Sequence, residues 1–329
     1  MSYANYIKEI GRGAQGSRDL SPEEARQLYA AILDGGVPDL ELGAILIALR
    51  VKGEASDEML GFLAAIDERL NRLDMPHGRV RPVVLPSYNG ARKEANLTPL
   101  LALLLQRFGV PVLVHGLIEG FGRVTSAQIL RELGHLPVTS AQQAQQTLEE
   151  KGLAFLPLTA LAPGLHSLLS LRARMGVRNS AHSLVKLLNP FRGEAVLVAP
   201  ATHPDFITLM RDILVERGQR GLLLRGTEGE PVANAKRRPR LEYIRNGAVD
   251  VLFEAEHESL RGLPNLPESC DAASTARWTR RVLEKQVPLP KPIANQLACL
   301  LFASGYVDDL NQAKAIVAVE ATGLLMGGN

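Results

Sequence analysis

Only two cysteines, Cys270 and Cys299, occur in the 329 residues. That is too few for a disulfide framework, and neither C-x-x-C nor Cys/His spacing offers a structural zinc site. A reducing cytoplasm suits this usage, so a cytoplasmic protein is expected. Long apolar runs are also missing. The longest, Leu97 to Leu105, falls well short of the roughly 20 residues of a membrane span, and Met1 to Ile10 carries Lys8 and Glu9 where a signal peptide would be apolar. Nor does one sign of charge dominate: 37 Lys and Arg against 35 Asp and Glu leave +2. A polyanion partner would therefore have to be recognised by local clusters. There is no G-x-S-x-G nucleophile elbow, and no histidine sits at ligand spacing from Cys or carboxylates, so no metal or organic cofactor is expected.

What is present is an ordinary globular composition, 46% apolar and 22% charged, long enough for about two domains of roughly 150 residues each. The first 75 residues read as helices. Ser21-Pro22-Glu23-Glu24 is a capping box with proline at the first helical position, and Asp34-Gly35-Gly36 stops that helix. Leu42, Ile45, Leu46 and Leu49 recur at helical spacing after Pro38-Asp39, as do Met59, Leu60, Leu63, Ile66 and Leu70 after Ser56-Asp57. From Pro82 onward, short β-rich runs (82–85, 110–114, 154–156, 195–199, 221–224 and 249–253) alternate with helical stretches. This predicts an α/β domain on a mostly parallel sheet flanked by helices. Pro-rich segments at Leu263 to Pro267 and Val287 to Pro292 precede a helical C-terminus. The expected division is a helical dimerisation domain over 1–75, joined by a helical insert near 163–190, and an α/β domain over 76–329.

Gly11-Arg12-Gly13-Ala14-Gln15-Gly16 satisfies G-x-G-x-x-G, but no strand feeds it and Ser17-Arg18-Asp19 separates it from the next helix. A turn is the better reading. The order of several other segments is more specific. Ala48-Leu49-Arg50-Val51-Lys52-Gly53-Glu54, Asn96-Leu97-Thr98, Val114-His115-Gly116, Ser126 to Gly134, Arg172 to Asn179 and Leu188-Asn189-Pro190 together resemble the anthranilate phosphoribosyltransferase family and its nucleoside phosphorylase relatives over nearly the whole chain.

That resemblance implies the family's fold and a substrate cleft at Ser87, Tyr88, Asn89, Gly90, Asn96, Thr98, His115, Gly116, Arg172, Glu228 and Glu230. The family's chemistry is not implied. Its G-T-G-G-D phosphate loop is here Pro86-Ser87-Tyr88-Asn89-Gly90, which has lost glycines, one N–H donor and a carboxylate. Its K-H-G-N is Val114-His115-Gly116-Leu117, the aspartate of its S-A-D is Gln128, and its Mg²⁺-holding acids are reduced to Glu228-Gly229-Glu230. Loss of positioning groups and charge neutralisation together predicts a pseudoenzyme. Asn89-Gly90-Ala91-Arg92-Lys93 with Thr227 to Glu230 resembles the YbiB-like branch of the family. Membership there implies a homodimer that binds DNA or RNA with little sequence preference.

Basic clusters agree with that partner. Lys236, Arg237, Arg238 and Arg240, with Arg245 beyond, stand beside one acid, Glu242. Arg277, Arg281 and Lys285 recur at i, i+4 and i+8 on a helix capped by Asp271, with Arg280 adjacent. Arg92 and Lys93 lie in the altered loop, and Arg172, Arg174 and Arg178 lie around the family's cleft. Each cluster alone reads as a solvated face. Trp278 is expected to pack in the core, and Tyr88 either stacks on a base or plugs the vacated pocket. The alternatives are an active phosphoribosyltransferase or phosphorylase with a rebuilt loop, and a protein-interaction scaffold.

Overall fold

The computed structural model describes residues 2–13, 16–256 and 265–322. Ala14 and Gln15 of the glycine pattern lie outside the described residues, as do Leu263 and Pro264 of the first Pro-rich segment. In chain order the helices and strands are α1 (Tyr3–Ile10), α2 (Pro22–Leu33), α3 (Asp39–Lys52), α4 (Ser56–Asp67), β1 (Val83–Ser87), α5 (Thr98–Arg107), β2 (Val112–Gly116), α6 (Ser126–Glu132), α7 (Ala141–Lys151) and β3 (Leu153–Pro157). Then follow α8 (Leu158–Leu161), α9 (Pro163–Ser170), α10 (Arg172–Met175), α11 (Ala181–Leu184), β4 (Val196–Ala201), α12 (Pro204–Glu216), β5 (Gly221–Arg225), β6 (Leu241–Arg245), β7 (Ala248–Phe253), α13 (Ala272–Leu283), α14 (Lys291–Ser304) and α15 (Leu310–Thr322). Contacts divide the chain into a helical unit, 1–71 with 158–190, and a sheet unit, 72–157 with 191–329.

In the helical unit, the Ser21 hydroxyl accepts from the Glu24 N–H while Glu24 returns the bond to the Ser21 N–H, so the capping box starts α2 as its sequence dictates. α2 and α4 pack closely because Gly61 leaves room: a Cβ there would sit 2.3 Å from the Pro22 carbonyl oxygen. Tyr29 then stacks on Phe62 with ring centroids 4.5 Å apart. Ile32, Ile45, Leu46 and Leu49, apolar residues of the expected dimerisation domain, are all buried within this unit and so are not available to a second copy. The apolar positions α3 leaves outside are different ones: Leu40, Ile47 and Val51 are 83%, 41% and 74% exposed. Helical periodicity identifies two apolar arcs on α3 but not which of them the core takes.

The sheet unit holds seven strands in the order β3-β2-β1-β4-β5-β6-β7, parallel through β5 and antiparallel at β6 and β7. β1 to β4 are buried along their whole length, and their apolar runs do not alternate because helices cover both faces. The order reverses between β1 and β4, and the crevice at the carboxyl ends of strands beside such a switch point is where open α/β sheets bind ligands. β6 is absent from the sequence-based expectation. Its signal is Asn246-Gly247, with φ of 50° and 74°, the residue pair and backbone that a two-residue hairpin to β7 requires. Trp278 is buried in the core as expected, its indole N–H donating to the Asn265 carbonyl at 2.6 Å. No helix among the described residues is long and apolar enough to cross a membrane.

Candidate functional site

At the carboxyl ends of β1, β2 and β5 three loops meet: 88–97, 117–125 and 226–230. Ala91 and Val124 form a reciprocal backbone bridge, with N···O distances of 3.0 and 2.8 Å. Gly90, at φ 66°, bends the first loop sharply, and a Cβ there would lie 2.8 Å from the Val124 carbonyl oxygen. Gly116 backs onto the end of β1 so closely that a Cβ would stand 1.8 Å from the Ser87 carbonyl oxygen. Both positions need glycine because no side chain fits.

The altered loop does form an anion cradle, against the expectation drawn from its lost glycines. Pro86 lies within β1, so its missing N–H is no part of the cradle, and the backbone N–H groups of Asn89, Gly90, Arg92, Lys93 and Glu94 still converge. What they hold is the protein's own pair of carboxylates. Glu230 Oε1 accepts from Asn89 N at 3.1 Å and Gly90 N at 2.8 Å. Its Oε2 accepts from Asn96 Nδ2 at 3.2 Å and from the Ser87 hydroxyl, which itself lies 2.7 Å from Ser126 Oγ. Glu228 Oε1 accepts from Arg92 N, Lys93 N and Glu94 N at 3.1, 2.7 and 3.0 Å, and its Oε2 receives Arg123 Nη1 at 3.0 Å. To reach them Glu228 takes left-handed backbone angles, φ 52° and ψ 20°. Non-glycine residues persist in that region only where surrounding bonds hold them there.

The two acids differ in charge preference. Burial pushes the Glu230 carboxyl above the ordinary glutamate value, against the pull of Ser87, Gly90, Asn89 and Asn96. Burial acts the same way on Glu228, but the N–H groups of Glu94, Lys93 and Arg92, with Arg123, outweigh it and hold the carboxyl below that value. All four carboxylate oxygens are thus occupied by donors. A Mg²⁺ ion, which needs free carboxylate oxygens, does not fit this arrangement of the acids that the family resemblance assigns to it. Among the described residues no group of three or more His, Cys, Asp or Glu side chains could hold a metal.

Of the remaining cleft residues, the Thr98 N–H donates to Asn96 Oδ1, at 3.2 Å, and steadies the loop. His115 stands apart, fully buried on β2 with neither ring nitrogen hydrogen-bonded, and burial lowers its pKa to about 3. Tyr88 is 3% exposed and so offers no face to a base. Gln128, in place of the family's aspartate, caps α6 by accepting from Thr125 N at 3.0 Å. Arg123 and Ser126 complete the network. Ser126 was legible as the start of a family segment, whereas nothing in the sequence marked Arg123. Beside the cradle lies a cavity of about 290 Å³ whose lining includes Lys93, Glu94, Thr227, Asn234, Lys236 and Cys270.

The basic clusters change character in three dimensions. Lys236 is paired with Glu94 at 2.9 Å, Arg238 with Glu256 at 3.3 Å while it lies over the Phe253 ring, and Arg240 with Glu242 at 2.8 Å and Glu254 at 3.6 Å. Arg237 remains exposed, its Nε donating to the Glu256 carbonyl at 2.8 Å. The expectation of one neighbouring acid is therefore corrected: the hairpin and the 88–97 loop bring Glu94, Glu254 and Glu256 to this cluster. The i, i+4, i+8 stripe is also shorter than its spacing implied. α13 ends at Leu283, and Lys285 follows it at φ 63° with its ammonium 3.5 Å from Glu320. Arg280 donates to the Glu132 carbonyl. Arg277 and Arg281 on α13, and Arg92 and Lys93 on the loop, are exposed. In the helical unit Arg174 pairs with Asp39 at 2.9 Å, the Arg178 carbonyl accepts from Arg50 at 3.0 Å, and half-buried Arg172 opens α10.

Residues 4–69 match the helical bundle domain of the glycosyl transferase family. The chain is 45% identical over 318 residues to the protein YbiB of Escherichia coli, covering 96% of this chain and 99% of that one. It is 27% identical over 309 residues to an anthranilate phosphoribosyltransferase of Methanopyrus kandleri, covering 92% and 89%. Its fold matches the crystal structure of anthranilate phosphoribosyltransferase from Thermus thermophilus with a TM-score of 0.75 at 23% identity, over 97% of both chains.

Proposed function

Because the chain belongs to the YbiB-like branch of the anthranilate phosphoribosyltransferase family of glycosyl transferases, we propose that it keeps this scaffold for a non-catalytic task, the low-specificity binding of DNA or RNA as a homodimer. The observation that carries the non-catalytic half is the occupied cradle. A diphosphate would have to displace Glu228 and Glu230 from five backbone N–H groups and Arg123, and would meet the negative charge of Glu228 on approach. The nucleic-acid half rests on the exposed Arg92, Lys93, Arg277 and Arg281 of the sheet unit, which would position phosphates without reading bases. Leu40, Ile47 and Val51 supply the apolar face for the second copy, which doubles the basic surface.

Salt titration of binding to unrelated DNA and RNA oligonucleotides tests this. Affinity should be alike across sequences and fall steeply with salt, and R277A with R281A should make the log–log slope shallower by about one unit per lost contact. Unchanged affinity and slope in that double variant would remove α13 from the interface.

A second reading, an active phosphoribosyltransferase, is favoured by the relatives that bear this name over most of their length. It requires the 226–230 turn to withdraw both carboxylates. Calorimetric binding of phosphoribosyl diphosphate with Mg²⁺, or turnover with anthranilate that E228Q or E230Q abolishes, would establish it in place of the first.

A further inference from the structure

Phe121 is 56% exposed at the tip of the loop that follows β2. The residues around it make that exposure a fixed feature. Gly120 and Arg123 close a tight reversal, in which a Cβ on Gly120 would stand 2.5 Å from the Arg123 carbonyl oxygen, and Gly122 takes φ 68°, a value favouring glycine. Two residues beyond the ring, Arg123 is anchored to the Gly90 carbonyl at 3.1 Å and to Glu228 at 3.0 Å, and Val124 is bridged to Ala91. The ring is therefore tied, through a short and braced turn, to the loop that carries the exposed Arg92 and Lys93. Tyr88, the aromatic residue in the cradle itself, is buried and cannot serve.

An exposed aromatic ring on a loop bridged to one that carries exposed cations offers the two elements, stacking and phosphate contact, by which proteins hold single strands without regard to sequence, since every base has a π-face. Resting on the nucleic-acid reading above, we infer that Phe121 is a stacking platform for an unpaired base of single-stranded DNA or RNA, with Arg92 and Lys93 on the flanking phosphates. In a duplex the base faces are already stacked on one another, so the ring contributes nothing there. The same protein would then hold duplexes by phosphate contacts alone and offset the lower charge density of single strands by stacking.

The test compares wild type, F121A, F121W and the double variant R92A/K93A on the full chain, with oligo(dT), a mixed single strand and a duplex of equal length. F121A should weaken single-strand binding by at least about fivefold, leave duplex binding unchanged, and leave the salt slope unchanged because no counterion contact is lost. F121W should restore affinity and show fluorescence quenching on adding oligo(dT), against the buried Trp278. R92A/K93A should weaken both forms and flatten the slope by about 0.7 per contact for single strands. Equal single-strand affinity of F121A and wild type, or equal losses on single strand and duplex, overturns the inference while leaving nucleic-acid binding standing. A wild-type protein that binds none of the three oligonucleotides overturns both.

Discussion

Replacing Glu228 with alanine should empty an anion site that inorganic phosphate can refill. The carboxylate takes three backbone N–H bonds at 2.7 to 3.1 Å and one guanidinium contact at 3.0 Å. Hydrogen bonds to a charged group are worth about 1.5–3 kcal/mol each. The side chain is 15% exposed, however, and the exposed Arg92 and Lys93 lie where water can reach their N–H groups. The net loss is therefore about 3 kcal/mol for the set, well below the sum of four bonds. Alanine also keeps the left-handed backbone at this position, which costs about 1 kcal/mol that glycine avoids. E228G should accordingly be the more stable of the two variants by about that amount.

For a unit of this size each kcal/mol moves Tm by about 2–4 °C, so E228A should melt about 6–12 °C below wild type. Phosphate at a hundredfold over its Kd should return about 2.7 kcal/mol to the variant. In wild type the carboxylate already holds the cradle, and phosphate should do no more than chloride of equal ionic strength. Differential scanning calorimetry in matched phosphate and chloride buffers measures both effects. If E228A melts with wild type, or phosphate raises both equally, Glu228 is not the occupant that keeps the cradle shut.

In the helical unit, Glu58 is fully buried, pairs with Lys52 at 2.7 Å and caps the N–H groups of Leu20 and Ala55. E58A leaves Asp19 as the one carboxylate beside the buried Lys52 ammonium and takes the acceptor from the Leu20 and Ala55 N–H groups, so it should cost about 2–4 kcal/mol in urea unfolding, and a loss under about 1 kcal/mol would show that Asp19 alone suffices for Lys52. His115 and His182 both have pKa values lowered to about 3, the first by burial and the second by burial aided by Arg178. The unfolded chain takes up protons at these sites near pH 6.5 while the fold refuses them, so stability is full above that pH and falls as pH drops from 6.5 toward 3. H115L, which replaces an unpartnered ring by an apolar side chain, should leave Tm at pH 7 within about 2 °C and flatten its fall between pH 6.5 and 4.5; a large loss at pH 7 would mean that the imidazole has a polar role. I47E with V51E should turn a dimer into a monomer in sedimentation without lowering Tm of the isolated fold, and a dimer that survives both substitutions would move the interface away from α3.

The helices of the N-terminal segment and the strands of the parallel sheet were legible because their causes are local. A capping box at Ser21, apolar spacing after Pro38, and apolar runs bounded by helical stretches act over a few residues, and the fold has elements at each. Asp271 likewise starts its helix as its position implied. β6 is not legible from its own residues because five charged or turn-forming ones, Lys236 to Arg240, precede it and read as a basic cluster, although Asn246-Gly247 marks the hairpin. The end of α13 was misplaced because charge periodicity carries no signal for a left-handed residue at Lys285.

The sequence by itself determined the fold class, the family and the loss of the phosphate-loop residues, since these follow from residue types in a fixed order. It also named Glu228 and Glu230 as the surviving acids. Only the tertiary structure decided what those acids do. Their donors come from residues 87–96 and 123, more than a hundred positions away in the chain, and no local pattern relates a carboxylate to an N–H group brought to it by the packing of strands. The same holds for the cations. Lys236, Arg238 and Arg240 have one acid, Glu242, near them in sequence and are paired in the fold with Glu94, Glu256, Glu254 and Glu242, whereas Arg92 and Lys93, and Phe121 on the loop bridged to theirs, remain exposed. Charge and apolarity are written residue by residue, but their balance is set by neighbours that only folding supplies.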